Sequence, residues 1–355
     1  MSLPTEIKQW ISHQDGLENL SQTTSPMPTP GPSEVLVKIS AVALNYRDTE
    51  VIMGLYNHHR TTGSSQSPKI VPCSDMSGTI VVSNSPKWKV GDKVLSIFNQ
   101  THIKGQVKAK DMKSGLGLPL QGVLAEYRVF GEEGLVRKPG YLGDEEAATL
   151  PIAAMTAWMA VNGMRPLGSP GGKGEKVLIQ GTGGVAVSGL QISKASGSEV
   201  IITSSSDAKL ELAKKLGADK TINYKSTPDW EQEVLKMTDD EGVDIIFENG
   251  GAATLRKSFE CIAFGGLINC IGYLSGKEDA VGDRTNTNVL ALKRNVTLKG
   301  LLNGPRERFE EMLGFYEENR IKPVVDKVFE FGQAKEALIY LFAGGHFGKV
   351  VVKVE

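Results

Sequence analysis

The segment KVLIQGTGGVAVSGLQISKASGSEVIIT (176–203) decides the fold of much of this chain. It begins with an apolar strand at 176–180 and turns at GTGGVA (181–186). A helical run then leads to about Ala195, and a second apolar strand follows at 199–203. A strand, a glycine-rich turn, a helix and a second strand within about 28 residues form a βαβ unit of the dinucleotide-binding type.

Each small residue of the turn has a physical role in that unit. Gly181 permits the tight turn, Gly183 lets the backbone approach a pyrophosphate, and Ala186 allows close packing of helix on strand. The first helical residues, Gly184 and Val185, would offer backbone amides and the positive end of the helix dipole to the phosphates. We therefore predict a dinucleotide at Gly181, Gly183, Gly184 and Val185. The alternative is a glycine-rich turn with a structural role alone.

The residues after the second strand bear on which dinucleotide is bound. An NAD site uses Asp or Glu there to bind the ribose 2′-hydroxyl. This chain instead has Ser204, Ser205 and Ser206, followed by Asp207 and, one turn later, Lys209. Hydroxyls and a cation suit a 2′-phosphate, so we expect NADPH, with NAD(H) as the less favoured cofactor. The alternative, in which Ser206 caps the helix and Lys209 is solvated, is compatible with this one.

The rest of the chain divides into a β-rich part and a part in which strands and helices alternate. After about residue 150, apolar strands alternate with helices of 10–15 residues, which predicts a doubly wound parallel sheet of the α/β class. The first third contains short strands separated by Pro, Gly, Asn and Ser, and a polar stretch at 99–121 is predicted to be a long loop. The predicted alternating elements are helices at 207–216, 228–237 and 253–262, and strands at 221–224, 243–247, 265–274 and 295–302. The tail is predicted to form a helix at 306–319 and a strand at 347–354, and to rejoin the first part.

Composition excludes several classes of protein. The chain has 355 residues, 40 Lys and Arg against 41 Asp and Glu, and a net charge of −1, so it lacks the basic field of a nucleic-acid or membrane-surface binder. Three separate cysteines cannot form a disulfide framework or a four-thiolate zinc site, and they fit a reducing compartment. The first thirty residues contain no apolar signal region, so we expect a cytoplasmic protein.

Motifs along nearly the whole length carry a family resemblance. They are GPSEVLVKISAVALNYRD (31–48), VPCSDMSGTI (71–80), VGDKV (90–94), GVLAEY (122–127), EEAATLPIAAMTAW (145–158), VLIQGTGGVAVSGLQISKASG (177–197), LAKKLGADKTINY (212–224) and FGKVVVKV (347–354). With them the chain resembles the medium-chain dehydrogenases/reductases, and within these the zinc-free branch that is quinone-oxidoreductase-like and alcohol-dehydrogenase-like. The resemblance implies a Rossmann domain (136–302) inserted into a GroES-like β-barrel catalytic domain (1–135 and 303–355).

The same resemblance assigns further residues. It implies that Lys209 and Tyr224 hold the 2′-phosphate of NADPH, and that Thr156 and the turn that begins at Asn249 lie beside the nicotinamide. It also implies a homodimer that forms through the strand at 295–302, since a long unpaired edge strand is otherwise a liability.

The zinc-dependent members of this superfamily hold their catalytic metal with residues that this chain lacks. Where they have Cys and Gly-His-Glu, this sequence has Asn45 and then Ser74 and Asp75, and no cysteine lies near Pro151. The stretch 99–121, where a structural zinc lobe would fall, holds no cysteine either. The five histidines (His13, His58, His59, His102 and His346) show no ligand spacing, and we expect them at the surface or in loops. We therefore predict no metal.

Without a Lewis acid, the easier reaction is the reduction of a C=C bond activated by a carbonyl, or of a quinone. The protein then orients the substrate and stabilises the developing oxyanion with hydrogen-bond donors. The candidate catalytic residues are Asn45, Tyr46 and Tyr56, and the resemblance gives Tyr56 the position of a proton donor. The alternative for Tyr56 is that its ring packs the substrate channel while water supplies the proton. Asp48 is expected to order the loop.

Two other functions stay open at the level of sequence. One is a zinc-free alcohol or aldehyde oxidoreductase, and the other is a protein that binds NADPH without catalysis, with 99–121 as an interaction surface. The sequence does not identify the substrate, nor whether the role is detoxification or biosynthesis.

Overall fold

Two units divide the chain in the computed structural model, which describes residues 3–56, 69–278, 282–283 and 286–355. The first unit combines Met1–Met155 with Gly304–Glu355, and the second is Thr156–Asn303. The second boundary lies one residue from the predicted one, whereas the first lies about twenty residues later than the predicted 135/136. The segment 136–155 belongs to the first unit because it bonds to strand residues there: Ser77 Oγ donates to Asp144 O at 2.8 Å, and Ile152 N donates to the Asp75 carboxylate at 3.1 Å.

The N-terminal elements are mainly strands, as predicted. The strands are β1 (Glu6–Ile11), β2 (Ser21–Pro26), β3 (Glu34–Leu44), β4 (Asp75–Ser83), β5 (Lys93–Ser96), β6 (Tyr127–Gly131) and β7 (Leu135–Arg137). The helices are α1 (Tyr46–Ile52) and α2 (Asp144–Ala148), with short 3₁₀ turns at Leu17–Asn19, Asp111–Ser114 and Glu132–Gly134 and a π-helical stretch at Leu150–Ala154. The long loop predicted at 99–121 is confirmed, since the 3₁₀ turn at Asp111–Ser114 is its one regular element.

Strands and helices then alternate. The helices are α3 (Met155–Asn162), α4 (Gly184–Ala195), α5 (Asp207–Lys215), α6 (Trp230–Met237), α7 (Leu255–Cys261) and α8 (Thr287–Lys293). The strands are β8 (Lys176–Gln180), β9 (Glu199–Ser204), β10 (Lys220–Asn223), β11 (Val243–Glu248), β12 (Ile262–Cys270) and β13 (Thr297–Gly300). The C-terminal elements are α9 (Arg306–Asn319), β14 (Val325–Glu330), a 3₁₀ turn at Phe331–Gln333, α10 (Ala334–Phe342) and β15 (Lys349–Lys353).

The second unit is built on a six-stranded parallel sheet, which confirms the predicted doubly wound fold. Its strand order is β10-β9-β8-β11-β12-β13. Helices flank such a sheet on both faces, so its strands are continuous apolar runs, and Leu178, Ile201 and Ile246 are fully buried. β8 and β11 are neighbours in space although they are the first and fourth strands in sequence. Ligands bind at such a reversal of strand order, beside the carboxyl ends of the strands.

The first unit contains a seven-stranded sheet to which the C-terminal tail contributes. Its order is β14-β15-β3-β4-β5-β7, and β6 pairs with β3 as well. β15 runs antiparallel to β3, with Val350 opposite Leu44, so the predicted return of the tail is confirmed. This register brings Lys349 next to Asn45, directly beyond the last strand pair.

No helix in the described ranges is both long and apolar enough to cross a membrane.

Candidate functional site

The glycine-rich turn has the conformation that its sequence predicts. Gly181 follows β8 with φ +83°, in the left-handed region that favours glycine. Gly183 has extended backbone and caps α4, and its carbonyl accepts the first helical hydrogen bond from Val187 N at 2.9 Å. The helix therefore begins at Gly184, and the amides of Gly184 and Val185 lie in its first turn, where backbone N–H groups are available to an anion.

A buried carboxylate joins the ends of the two central strands. Glu248, the last residue of β11, is 1 % exposed, and its Oε2 accepts a hydrogen bond from Gln180 Nε2 at 2.7 Å. Its Oε1 accepts from Gly250 N at 3.1 Å and from Gly251 N at 2.9 Å. The hydroxyls of Thr254 and Ser258 also donate to this carboxylate.

The turn at Asn249 is held from the other side by Gln180. The Oε1 of Gln180 accepts hydrogen bonds from the backbone amides of Asn249 and Gly250, both at 3.1 Å, and Asn249 Nδ2 donates to Gln180 O at 2.8 Å. The predicted cofactor residue Asn249 is thus fixed beside the end of β8. Gln180 and Glu248 were not predicted from the sequence, although a carboxylate at the end of an apolar strand followed by Asn-Gly-Gly is a visible signal.

The residues predicted to hold a 2′-phosphate lie together at the end of β9. Ser204 is buried, and its carbonyl accepts a hydrogen bond from Tyr224 N at 3.1 Å, which brings the half-exposed Tyr224 to this strand end. Ser206 caps α5 by accepting from Lys209 N at 3.4 Å, so the structural alternative for Ser206 is confirmed. Asp207 accepts from Asn223 Nδ2 at 2.7 Å. Ser205 lies between the two serines, and Lys209 lies in the first turn of α5.

Thr156 lies in the first turn of α3 and is buried at 3 % exposure. Its proximity to the nicotinamide stays a prediction.

The predicted catalytic asparagine lies at the end of β3. Asn45 is the N-cap of α1, and its backbone N–H donates to Asp48 Oδ2 at 2.8 Å, which confirms that Asp48 orders this loop. Lys349 Nζ donates to Asn45 Oδ1 and to Leu44 O, both at 2.6 Å. Asn45 is 9 % exposed and its Nδ2 is buried, and a hydrogen bond from the Asn45 side chain lowers the pKa of the Asp75 carboxyl.

Buried charges surround this asparagine. Asp48 and Asp75 are both fully buried. Burial raises the pKa of Asp48 to about 6, against the lowering effect of Arg47. Burial also raises the pKa of Asp75, although Lys349 opposes the shift, and it lowers the pKa of Lys349 against the attraction of both carboxylates. Ser74 Oγ donates to Asp75 Oδ1 at 2.7 Å.

Tyr56 is connected to this cluster through Arg47. The Arg47 guanidinium lies between the rings of Tyr56 and Phe98, 4.8 Å from each ring centroid, in cation–π geometry. It also contacts Asp48 Oδ1 at 3.3 Å. The sequence analysis did not identify Arg47, which joins the half-buried Tyr56 to the loop of Asn45.

Tyr46 is the third predicted catalytic residue. Its side chain is 41 % exposed and its ring stacks on Phe342 of α10, with the centroids 6.2 Å apart. The ring therefore packs against α10, and the catalytic role predicted for Tyr46 stays a prediction.

The residues at the metal position do not fit zinc. An ammonium group already occupies Asn45 Oδ1, and the remaining positions offer the hydroxyl of Ser74 and the hydrogen-bonded carboxylate of Asp75. Within the described ranges, no group of three or more His, Cys, Asp or Glu side chains is arranged to hold a metal ion. His102 is in a loop as predicted, but it is buried, with Nε2 2.9 Å from Gly105 O. His58 and His59 lie outside the described residues.

The edge of the parallel sheet is formed by β13, which is paired on one side with β12. Several large apolar side chains on or near it are exposed, among them Leu298 (37 %), Leu302 (40 %) and Phe264 (76 %).

Comparison with known proteins gives matches over most of the chain. Residues 31–140 match the family model of the alcohol dehydrogenase GroES-like domain, and residues 184–318 match that of the zinc-binding dehydrogenases. A zinc-type alcohol dehydrogenase-like protein of Schizosaccharomyces pombe is 41 % identical over 326 residues, covering 91 % of this chain and 92 % of that protein. The 2-methylene-furan-3-one reductase of Solanum lycopersicum is 30 % identical over 359 residues, covering 99 % of this chain and 80 % of that protein.

A solved structure agrees with these matches. The crystal structure of a candidate alcohol dehydrogenase from Sinorhizobium meliloti superposes with a TM-score of 0.85 at 34 % identity, covering 99 % of this chain and all of that one. The shared GroES-like and nucleotide-binding folds, the glycine-rich turn and the identity along nearly the whole length lead to one conclusion: this chain belongs to the medium-chain dehydrogenase/reductase superfamily, a family of oxidoreductases.

Proposed function

We propose that the protein is an NADPH-dependent, zinc-independent reductase that delivers hydride to a C=C bond conjugated with a carbonyl, or to a quinone. The observation that carries the proposal is the Lys349–Asn45 pair, which puts a buried cation and an amide donor where zinc-dependent relatives are expected to have metal ligands. The relative from Solanum lycopersicum supports it, because the name of its substrate describes a methylene group next to a ring ketone.

NADPH is the proposed cofactor, and it supplies the hydride when bound. Gly181, Gly183, Gly184 and Val185 are proposed to bind the pyrophosphate through backbone amides, and the Asn249 turn to hold the nicotinamide half. The 2′-phosphate is assigned to the strand end with Ser204, Ser205, Lys209 and Tyr224. The carboxylate of Asp207 would repel that phosphate, but it is hydrogen bonded to Asn223, which reduces its competition.

The cofactor preference is tested by a charge-neutralising variant. Lys209→Ala should lower kcat/KM for NADPH by about 10- to 100-fold, as one charge-assisted contact of about 1.5–3 kcal/mol is lost, while activity with NADH stays unchanged. Lys214→Ala is the matched control, because Lys214 lies on the same helix and pairs with Glu211 on an exposed surface. Equal losses with NADPH and NADH would contradict the 2′-phosphate assignment.

The first unit is proposed to handle the substrate. The buried Asn45 Nδ2, which has two protons, would donate to the carbonyl oxygen and stabilise the enolate that forms. Tyr56 is the candidate proton donor, and the Arg47 guanidinium lies 4.8 Å from the centroid of its ring. The alternative is that water donates the proton.

The reaction class is tested by following the loss of NADPH absorbance with enones, quinones and aldehydes. Turnover of enones or quinones supports the proposal. Tyr56→Phe should then abolish turnover without changing NADPH affinity, and an unchanged rate would assign the proton to water. Reduction of aldehydes alone would favour the second candidate, an alcohol or aldehyde oxidoreductase. The name of the Schizosaccharomyces pombe relative, a zinc-type alcohol dehydrogenase-like protein, is the observation in favour of that candidate. Binding without any turnover would favour a non-catalytic role.

We also propose a homodimer in which two copies pair through β13. The edge strand β13 carries the exposed Leu298, and the neighbouring strand β12 carries the exposed Phe264, and proteins usually cover such an apolar edge. Leu298→Lys should shift the protein from dimer to monomer in sedimentation velocity, whereas Val90→Lys, at an exposed position of the first unit, should not. A wild-type monomer would refute the dimer. The cytoplasmic location stays a prediction from the sequence.

A further inference from the structure

A lysine is buried at the end of β3, beside the proposed substrate-binding asparagine. Lys349 is 4 % exposed, although a buried ammonium is costly unless it is paired and hydrogen bonded. Its position is fixed by the backbone: the register of β15 on β3 sets it next to Asn45, and Lys349 N donates to Val324 O at 3.0 Å. The preceding Gly348 has φ +82°, and a Cβ there would lie 2.6 Å from Val324 O.

The contact of this ammonium decides which way the Asn45 amide points. A lysine ammonium has three donors and no acceptor, so the Asn45 atom at 2.6 Å from it must be the oxygen. The other two positions of the amide are then the protons of the buried Nδ2. One of them can face the Asp75 carboxyl, whose pKa is lowered by a hydrogen bond from the Asn45 side chain, and the second is left for a substrate oxygen. An asparagine without such a partner could turn its amide by half a revolution and present an oxygen instead.

The surrounding charges balance the lysine. Two fully buried carboxylates, Asp48 and Asp75, attract Lys349, and the second cation, Arg47, contacts Asp48. Burial raises the pKa of the nearby Cys73 thiol well above its usual value, so that group stays neutral. The cluster therefore holds two cations and two carboxylates, and the ammonium is the cation that contacts the Asn45 side chain.

We propose that Lys349 is a positioning residue: its ammonium locks the Asn45 amide with Nδ2 as the donor to the substrate oxygen. Lys349 thus acts through Asn45, because its contact with Oδ1 leaves the Nδ2 protons on the side where negative charge would develop on a carbonyl or quinone oxygen. This inference rests on the proposed function, because it requires a substrate with such an oxygen.

The first test compares two buried lysines of the same unit. Lys349→Met should lower kcat by about 100-fold, the usual effect of losing one oxyanion donor, with the dissociation constant of NADPH unchanged. Lys138→Met is the matched control: its side chain is 5 % exposed and pairs with Asp144 at 3.4 Å, so its loss should affect stability but not kcat. Retention of kcat within threefold in Lys349→Met would overturn the proposal.

A second comparison separates positioning from a direct role. Asn45→Asp keeps an oxygen for Lys349 but removes the donor, so it should lose kcat as strongly as Lys349→Met does. If Lys349 acts through Asn45, Asn45→Ala combined with Lys349→Met should be no slower than Asn45→Ala alone. Multiplying effects would overturn the positioning role. Should Lys349→Met fail to fold, Lys349→Met/Asp75→Asn removes one charge of each sign, and it should fold and show the same loss of kcat.

A readout without turnover distinguishes failure of this inference from failure of the proposed function. If the wild-type protein reduces no enone or quinone, the reductase proposal fails, and the side-chain amide signal of Asn45 in asparagine-labelled ¹⁵N spectra still reports its orientation. The signal, assigned by its absence in Asn45→Asp, should be single in the wild type and shifted or doubled in Lys349→Met. An identical signal in both proteins would overturn the inference.

Discussion

The carboxylate of Glu248 carries the sharpest prediction about the nucleotide-binding unit. Five donors converge on it: the backbone amides of Gly250 and Gly251 and the Thr254 hydroxyl donate to Oε1, and Gln180 Nε2 and the Ser258 hydroxyl donate to Oε2. Glu248→Gln keeps the size of the side chain and replaces one oxygen by an amide. The Gly250 and Gly251 amides fix the remaining oxygen on their side, so the new amide faces Gln180 and Ser258.

The cost follows from the donors that lose their acceptor. Gln180 cannot turn its own amide, because its Oε1 already accepts the Asn249 and Gly250 backbone amides. Ser258 can accept from the new amide, but its own proton then has no carboxylate to bind. Losing two charge-assisted bonds of about 1.5–3 kcal/mol each and regaining one neutral bond of about 1 kcal/mol gives a net loss of about 3 kcal/mol.

For a unit of roughly 150 residues, 1 kcal/mol corresponds to about 2–4 °C, so the Tm of this unit should fall by about 10 °C. Thermal unfolding of the full chain, followed by calorimetry, measures the shift. Glu231→Gln is the matched control: the partner of this carboxylate, Lys257 at 2.8 Å, is partly exposed to water and also donates to Pro228 O at 2.7 Å, so loss of the pair should cost about 1 kcal/mol or less. A Tm for Glu248→Gln within about 3 °C of wild type would refute the reasoning.

A compensating swap sharpens the test. In Gln180→Glu/Glu248→Gln, the new carboxylate at 180 accepts the backbone amides with one oxygen and the amide of residue 248 with the other. Every donor then has an acceptor again, and most of the lost Tm should return. A double variant as unstable as the single one, or less stable, would show that the geometry of this network is not the cause.

Two further predictions concern packing and protonation. Gly189→Ala in α4 should lower the Tm despite the better helix propensity of alanine, because the new Cβ would lie 2.6 Å from the Phe247 ring. Gly314→Ala in α9, where the Cβ would meet open space, should instead stabilise the protein by about 1 kcal/mol. Equal Tm shifts in the two variants would contradict this. Burial raises the pKa of Asp48 from 3.8 to about 6 in the folded protein. The unfolded chain therefore releases the Asp48 proton at lower pH than the folded protein does. As pH rises from about 4 to above 6, the free energy of unfolding should fall by up to about 3 kcal/mol. The Tm of wild type relative to Asp48→Asn should therefore decrease between about pH 4 and pH 7, and a constant difference would refute the shift.

The sequence by itself determined the local elements of the nucleotide-binding unit. The run 176–186 predicts β8, the turn after it and the start of α4. Each of these elements depends on residues within the same short segment: apolar β-branched residues for the strand, a glycine in the left-handed region for the turn, and small residues where the helix begins. The helix at 306–319 and the return of the C-terminal strand were predictable for the same reason. The residues proposed for the cofactor at the end of β9 were likewise predictable, because they lie directly after an apolar strand in the sequence.

Only the tertiary structure decided which distant residues share a site. Lys349 contacts Asn45 across 304 positions, and Gln180 contacts Glu248 across 68, because strand order and register bring them together. The late unit boundary near residue 155 and the position of Tyr46 against α10 have the same origin. A pattern of residue types records local preference. The pairing of two buried polar groups depends instead on the strands that carry them, and these strands bring together Lys349 with Asn45 and Gln180 with Glu248.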